Sequence, residues 1–186
     1  ETPIVYVVDD DASVRESLSS LMRSAGMAVE VFASPFDFLA KEKLGDLSCL
    51  VLDVRMPGLD GLALQQRMTT LGVEIPIIFI TGHGDVPVAV RAMKAGAIDF
   101  LNKPFDDTDL LDAIAVALLR VSSTVNERTE LASLRQRFDT LTPREKQIMR
   151  AVAQGKQNKA IAYDLTVTES TVKVHVKHML KKMKLK

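Results

Sequence analysis

In the first two thirds of the chain, polar side chains follow apolar segments at the points where those segments end. These residues are Asp9, Asp10, Asp53, Thr81 and, a little further from its segment, Lys103. Carboxylate oxygens are ligands that suit Mg²⁺, and a cation offsets the charge of both a carboxylate and an incoming phosphate. A carboxylate can also act as a nucleophile and carry a phosphoryl group. These residue types therefore favour a site for a divalent cation and a phosphoryl group, centred on Asp53.

The segments before these residues alternate with helical patterns. The runs Ile4–Val8, Leu50–Leu52 and Pro76–Ile80 are continuously apolar, as is typical of strands buried on both faces. Five such strand-helix units with short connections predict an α/β domain with a doubly wound, five-stranded parallel sheet. One of its helices should begin at Pro35 and run to about Leu44. Because ligands bind at the carboxyl ends of parallel strands, we expect the polar residues to meet at that edge.

The charge of the chain is divided between its two parts. The net charge is zero, but residues 1–122 hold 10 basic and 18 acidic side chains, whereas residues 123–186 hold 14 basic and 6 acidic ones. An acidic first part could hold a cation, and a basic second part could meet an anionic polymer. The single cysteine, Cys49, excludes an internal disulfide. With no visible signal peptide and no membrane-length apolar run, we expect a cytoplasmic protein without a membrane partner.

Four motifs of the first part resemble the receiver domain of bacterial two-component response regulators, which has a flavodoxin-like fold. The motifs are Val8-Asp-Asp10, Leu52-Asp-Val-Arg-Met-Pro-Gly-Leu-Asp-Gly61, Ile80-Thr-Gly82 and Leu101-Asn-Lys-Pro-Phe105. The resemblance implies that a sensor histidine kinase phosphorylates Asp53. It also implies a Mg²⁺ cofactor held by Asp10, Asp53 and the backbone carbonyl of Arg55, with Asp9 contributing through water.

The same resemblance implies a switch beside the phosphate. Thr81 and Lys103 would contact the phosphoryl oxygens, the bond before Pro104 would be cis, and Phe100 would fill the space that Thr81 leaves. The face formed by the fourth helix, fifth strand and fifth helix would then change and form a homodimer when Asp53 is phosphorylated.

Plainer roles stay open for single residues of this set. Asp53 could cap a turn, Thr81 could stand near a helix start, and Lys103 could be a solvated charge. For Asp11 we favour a helix N-cap role, and for His83 a position in a glycine-flanked loop near the phosphate.

After a receiver domain at residues 1–121, we expect a helical linker at residues 122–139 and a small all-α domain at residues 140–186. A long helix joining the domains and a frayed linker both fit the charged linker sequence. Thr142-Pro-Arg-Glu145 predicts a helix start with a capping box, Asn158 could cap a second helix over Lys159–Leu165, and Thr168 a third. Two short helices joined by a tight turn predict a helix-turn-helix.

The second part resembles the LuxR-type helix-turn-helix, and the whole chain resembles the NarL/FixJ family, in its FixJ branch. This resemblance implies that Lys173, Val174 and Lys177 reach the bases of promoter DNA, while Thr171, Lys156 and Lys159 hold the backbone or fix the docking. His175 contacts phosphate or packs, and both roles stay open. The family's output domain has a fourth helix; because the sequence ends at Lys186, just after the predicted third helix, we expect this final helix to be missing here.

We therefore expect a transcription activator that phosphorylation switches on, with RNA polymerase as a further candidate partner and no enzymatic turnover. Three alternatives remain. A phosphatase-like enzyme would usually need a second carboxylate two residues after the nucleophile, where this chain has Arg55. An RNA-binding antiterminator would usually bring stacking aromatic residues, of which the second part has only Phe138 and Tyr163. A phosphate-independent DNA-binding module would bind equally with and without phosphate.

Overall fold

A computed structural model describes residues 2–82 and 86–185. The chain divides into two compact units, Glu1–Val125 and Asn126–Lys186. Within the described residues, no helix combines the length and the apolar character that a membrane span requires.

The first unit is built on a five-stranded, fully parallel sheet, as the sequence predicts. Its strand order is β2-β1-β3-β4-β5. The strands are β1 (Ile4–Val8), β2 (Ala28–Phe32), β3 (Ser48–Asp53), β4 (Ile77–Thr81) and β5 (Asp99–Asn102). The helices between them are α1 (Ala12–Ser24), α2 (Pro35–Leu39), α3 (Gly61–Thr70) and α4 (Val86–Lys94), and α5 (Asp107–Asp139) follows β5.

Each face of the sheet buries its own apolar layer, which explains why the strands are continuously apolar. Tyr6 and Phe79 belong to one layer, together with Leu64 of α3. Val7 and Ile78 belong to the opposite layer, with helix residues that come from α1 and α5. Because alternate side chains of a strand point to opposite faces, covering both faces with helices leaves little room for polar residues except at strand ends.

Cys49 lies in β3 and is fully buried. Burial raises the pKa of its thiol to about 12, because the thiolate would lose its hydration. It therefore packs as a small apolar residue of the core.

Helix α2 is shorter than the sequence predicts, since it ends at Leu39 and not near Leu44. The cause is tertiary hydrogen bonding beyond the helix. The Lys41 ammonium donates to Glu30 of β2 at 2.8 Å, and the Gly45 amide donates to the Tyr6 hydroxyl at 2.9 Å. These bonds lead the segment to the sheet before the helix can continue.

The second unit contains the end of α5 and three further helices, α6 (Pro143–Ala153), α7 (Asn158–Asp164) and α8 (Glu169–Met183). Residues 122–139 are helical throughout, as part of α5. The predicted capping box of Thr142 and Glu145 is confirmed, and so is the Thr168 N-cap, whose hydroxyl accepts from the Thr171 amide. Ile148, Ile161 and Val172 form the buried core of the three helices.

The predicted cap of α7 is wrong by one residue. Asn158 is the first helical residue, and Gln157 occupies the N-cap position without a side-chain hydrogen bond. The Gln157 carbonyl already accepts from the Ile161 amide at 3.0 Å, so the first intrahelical bond forms one residue earlier than expected. The side chain of Asn158 is therefore not needed to begin the helix.

Candidate functional site

Asp53 is the last residue of β3, and its neighbours in the sheet bring the other polar residues to the same edge. Asp9 directly follows β1, Thr81 ends β4, and all three residues are buried. The register pairs Asp53 with Ile80, so Thr81 lies one residue beyond it on the adjacent strand. The expected meeting of strand ends is therefore present in the structure.

The Lys103 ammonium bridges two of the buried carboxylates. Its nitrogen lies 2.7 Å from Asp9 Oδ2 and 2.9 Å from Asp53 Oδ1. The Lys103 amide donates to the Thr81 carbonyl at 2.7 Å, and the bond between Lys103 and Pro104 is cis, as the resemblance implied. Carboxyl groups from β1 and β3 thus converge on one positive charge.

The second oxygen of each carboxylate is held by the backbone. Asp53 Oδ2 accepts from the Arg55 amide at 3.0 Å, and Asp9 Oδ1 accepts from the Asp11 amide at 2.8 Å. The Arg15 guanidinium donates to the Asp9 carbonyl at 2.8 Å. These bonds orient both carboxyl groups and leave their outer oxygens towards Lys103. Asp11 also accepts from the Ser13 amide, which confirms its N-cap role.

Opposing effects act on the ionisation of Asp53 and Lys103. Burial raises the pKa of Asp53 above its usual value, although the hydrogen bond from Lys103 acts the other way. For Lys103, burial disfavours the ammonium, but the hydrogen bonds to Asp9 and Asp53 outweigh it and raise its pKa. The lysine therefore remains charged, and it offsets the repulsion between two buried carboxylates.

Among residues 2–82 and 86–185, no three His, Cys, Asp or Glu side chains converge as a ready metal cage. The predicted magnesium residues are nevertheless neighbours: Asp9 and Asp53 share Lys103, Asp10 is exposed beside Asp9, and Arg55 follows β3 by two residues. Because two carboxylates already meet one cationic nitrogen, the donor set fits a hard divalent cation that keeps several waters.

The predicted DNA-binding residues lie on or near α8 and α7. On α8, the side chains of Lys173, Val174 and Lys177 are exposed, whereas Thr171 and His175 are half-buried. Val174 is 53% exposed, so its methyl groups are accessible on the surface of α8. Helix α8 therefore presents a basic surface that also exposes one valine.

Several predicted DNA contacts are engaged in local pairs within this unit. The Lys156 ammonium binds Asp164 at 2.6 Å, and the Lys173 ammonium binds Glu169 at 3.0 Å. The Thr171 hydroxyl bonds the Thr168 hydroxyl at 2.8 Å, within the cap of α8. Lys159 is exposed. Exposed ion pairs of this kind contribute little to stability, so DNA phosphates could replace them at small cost.

Comparison with known proteins agrees with this geometry. Residues 5–115 match the response regulator receiver domain, and residues 139–186 match the family of bacterial regulatory proteins of the luxR type. The chain is a response regulator of the NarL/FixJ family. It is 49% identical over 181 residues to nodulation protein W of Bradyrhizobium diazoefficiens, covering 97% of this chain and 80% of that protein.

Two further relatives also match nearly the whole of this chain. The transcriptional regulatory protein FixJ of Rhizobium meliloti is 43% identical over 182 residues, covering 98% of this chain and 89% of that protein. The solved structure of the response regulator StyR is 47% identical, with a TM-score of 0.88 over 100% of this chain and 94% of that one. The receiver family generally binds Mg²⁺ and takes part in two-component signalling, and the LuxR-type domain binds DNA.

Sequence reasoning gave no role to Arg15, which donates to the Asp9 carbonyl, or to Gly61, although the receiver motif contains Gly61. A Cβ atom at this position would overlap the backbone carbonyl oxygen of Asp53 and lie 3.1 Å from the Phe79 ring. The Gly61 amide donates to the Val54 carbonyl at 2.9 Å, and Asp60 caps α3 by accepting from the Ala63 amide at 2.7 Å. The Asp-Gly pair before the helical stripe is the signal that could have indicated this close approach.

The predicted switch residues occupy suitable positions in the response regulator. Thr81 is buried at the end of β4, and Phe100 of β5 is half-buried with its ring centroid 6.2 Å from that of Phe79. His83 lies outside the described residues. The switch role of Thr81 and Phe100 stays a prediction.

Proposed function

We propose that a sensor histidine kinase phosphorylates Asp53 of this response regulator and that the chain turns over no substrate of its own. One observation carries the proposal: the Lys103 ammonium contacts both Asp9 and Asp53 at the carboxyl edge of the sheet. A positive charge at this place can meet the phosphoryl oxygens as the group arrives. Arg55, two residues after Asp53, is exposed and cannot replace the acid/base carboxylate of a phosphatase.

The transfer itself requires little covalent chemistry from the protein. An oxygen of Asp53 attacks the phosphorus, the bond to the kinase histidine breaks, and the imidazole keeps the electron pair and takes up a proton. The Arg55 amide holds the other carboxyl oxygen and so fixes the direction of attack. Mg²⁺, held by Asp10, Asp53 and the Arg55 carbonyl with Asp9 nearby, would neutralise charge on the phosphoryl group.

A phosphorylated Asp53 changes the charge balance around Lys103. The phosphoryl group brings about −1.5 to −2 charges and three acceptor oxygens, which compete with Asp9 for the ammonium. The Thr81 hydroxyl then turns towards the new oxygens, and Phe100 fills the space behind it. The receiver face repacks and dimerises, and the helix-turn-helix becomes free to bind promoter DNA and activate transcription with RNA polymerase.

The test treats the full chain with Mg²⁺ and acetyl phosphate and compares it with Asp53→Asn. A matched control is Asp46→Asn, which removes an exposed carboxylate elsewhere in the same domain. Phosphate-affinity electrophoresis measures phosphorylation, and sedimentation measures dimerisation. Binding to a DNA duplex selected by the chain measures DNA affinity. The unmodified chain and Asp46→Asn should be phosphorylated, dimerise and bind DNA more tightly.

The Asp53→Asn variant should show none of these changes. If it still responded to acetyl phosphate by binding DNA more tightly, Asp53 would not be the phosphoacceptor. If the unmodified chain became phosphorylated but stayed monomeric, the dimerisation step would be wrong. Equal DNA affinity in both states would favour a phosphate-independent binding module.

A further inference from the structure

The C-terminal end of α8 is held by a residue from α5. The Arg137 guanidinium donates through Nη1 to the carbonyl of Met183, the last residue of α8, at 2.9 Å. The last four carbonyls of a helix lack partners within the helix, and a cation at this end is favoured by the helix dipole. Arg137 therefore supplies both a hydrogen bond and a charge to the end of the DNA-recognition helix.

Arg137 is itself fixed on α5. Its Nε atom donates to the Ser133 carbonyl and its Nη2 atom to the Ser133 hydroxyl, each at 3.3 Å. Ser133 lies one helical turn earlier on the same helix. The Arg137 side chain is half-buried, in contrast to Arg135, which is exposed. Three of its donors are thus engaged, and the guanidinium has a defined direction rather than a solvated, mobile one.

A side chain of α8 also donates a hydrogen bond to the backbone at the end of α5. The Lys182 ammonium of α8 lies 3.3 Å from the Thr140 carbonyl, just after α5 ends, and 2.7 Å from Glu145 Oε2 of α6. Glu145 Oε2 also accepts from the Thr142 amide at 2.8 Å, so the capping box of α6 belongs to the same network. The end of α5, the start of α6 and the end of α8 are therefore bonded together.

An apolar cluster supports these polar contacts. Leu141, Met179 and Met183 are buried together, and Phe138 packs against them from the end of α5. The Lys146 ammonium lies 4.7 Å from the centre of the Phe138 ring. The last turn of α5 thus shares a core with α8 within the unit Asn126–Lys186. The last turn of α5 is therefore part of the folded second unit and not only a linker before α6.

We propose that Arg137 is a positioning residue for DNA recognition, because it fixes the end of α8 and so the direction in which that helix presents its side chains. Lys173, Val174 and Lys177 all lie on α8, and a tilt of the helix at its C-terminal end would displace all three from the base edges. Sequence-specific binding therefore depends on the last turns of α5, outside the helix-turn-helix. The proposal rests on DNA binding by α8 and not on the phosphorylation of Asp53.

The experiment compares Arg137→Met with Arg135→Met in the full chain, without a phosphodonor. Both changes remove one arginine from the same helix, but only Arg137 bonds the Met183 carbonyl. The probes are a duplex selected from a random pool by the unmodified chain and a scrambled duplex of the same length. Each affinity is measured over a range of salt concentrations.

We expect Arg137→Met to lower the ratio of selected to scrambled affinity about tenfold, the usual scale for one charge-assisted hydrogen bond. Arg135→Met should leave the ratio unchanged. Hydrogen exchange should quicken in Arg137→Met at the Lys184 and Leu185 amides, which bond the last turns of α8. Arg137→Lys, which keeps a cationic donor, should recover part of the ratio and keeps the test valid if the methionine variant fails to fold.

Two results would overturn the proposal. In the first, Arg137→Met has the same ratio of selected to scrambled affinity as Arg135→Met, and the Lys184 and Leu185 amides exchange at the same rate in both variants. In the second, affinity for both duplexes falls equally and the salt slope drops by about 1, which would make Arg137 a phosphate contact and not a positioning residue.

Discussion

The carboxylate site around Asp53 and the basic face of α8 differ in how their residues are held. At the first site, Asp9, Asp53 and Thr81 are buried at strand ends, and one lysine joins the two carboxylates. On the second, Lys173 and Lys177 are exposed on a single helix. The first arrangement depends on the tertiary positions of separate strands, and the second on the charge and orientation of one helix.

A single substitution should therefore have a larger effect in the buried site than on the exposed face of α8. In the buried site, a substitution that moves the backbone also moves a carboxyl group away from Lys103. On the exposed surface, one lysine contributes a screened charge among several, so its loss is gradual. The following predictions would sharpen or break this comparison, beginning with the largest expected effect.

Ile148→Ala should destabilise the second unit by about 2–5 kcal/mol, because it leaves a cavity in a small core. Ile148 is fully buried, with Ile161 and Val172 around it. Since the first unit has its own core, phosphorylation of Asp53 by acetyl phosphate should persist. Calorimetry and phosphate-affinity electrophoresis on the same sample measure both effects. Loss of phosphorylation in this variant would show that the units do not fold independently.

Gly61→Ala should destabilise the first unit by about 1–3 kcal/mol, because the added methyl group meets the Asp53 carbonyl and forces the backbone apart. Phosphorylation of Asp53 should slow as well, since the carboxyl group moves with its backbone. Urea unfolding and the rate of labelling with acetyl phosphate measure the two effects. Gly82→Ala is the matched control, because a Cβ there would have no atom within 4 Å among the described residues beyond its chain neighbours. Equal stability of the two variants would contradict the predicted overlap.

Glu145→Gln should destabilise the second unit by about 0.5–2 kcal/mol at neutral pH, since it weakens a capping box and the bond to Lys182. The hydrogen bond from Lys182 lowers the pKa of Glu145 in the folded state. A lowered folded pKa contributes stability above the unfolded value of about 4.3, and that contribution is lost as the pH falls through the folded pKa.

The difference in unfolding free energy between Glu145→Gln and the unmodified chain should therefore shrink as the pH falls from 5 towards 3. Urea unfolding followed at several pH values measures it, with the exposed Glu130→Gln as a control that should show no such trend. A difference that stays constant with pH would mean that Glu145 stabilises the unit by packing and not by its charge.

Lys177→Gln should have the smallest effect, a few-fold loss of DNA affinity, because it removes one exposed charge. If Lys177 neutralises a phosphate, the slope of log affinity against log salt should fall by about 1, equally for selected and scrambled duplexes. If it reads a base, the loss should be confined to the selected duplex. Binding titrations at several salt concentrations separate the two. An unchanged affinity for both duplexes would exclude Lys177 from the interface.

Much of this molecule could be predicted because its signals are local. The continuously apolar runs and the caps at Asp11, Thr142 and Thr168 each depend on residues a few positions apart, and the structure bears them out. Of the two errors, one has a tertiary cause and the other a local cause. The sequence around Pro35 favours a longer helix, but bonds to β1 and β2 end it. Helix α7 has its N-cap at Gln157, one residue before the expected cap, because the first intrahelical bond forms earlier.

The amino-acid sequence by itself determined the order of strands and helices along the chain, the polar residues at the ends of β1, β3 and β4 and the basic face of α8. Only the tertiary structure decided which groups touch. Lys103 meets Asp9 across 94 residues of chain, and Arg137 meets the Met183 carbonyl across 46. The approach of Gly61 to the Asp53 carbonyl likewise depends on how α3 packs on the sheet. Periodicity and capping are properties of neighbouring residues, whereas these contacts exist only once separate elements have packed together.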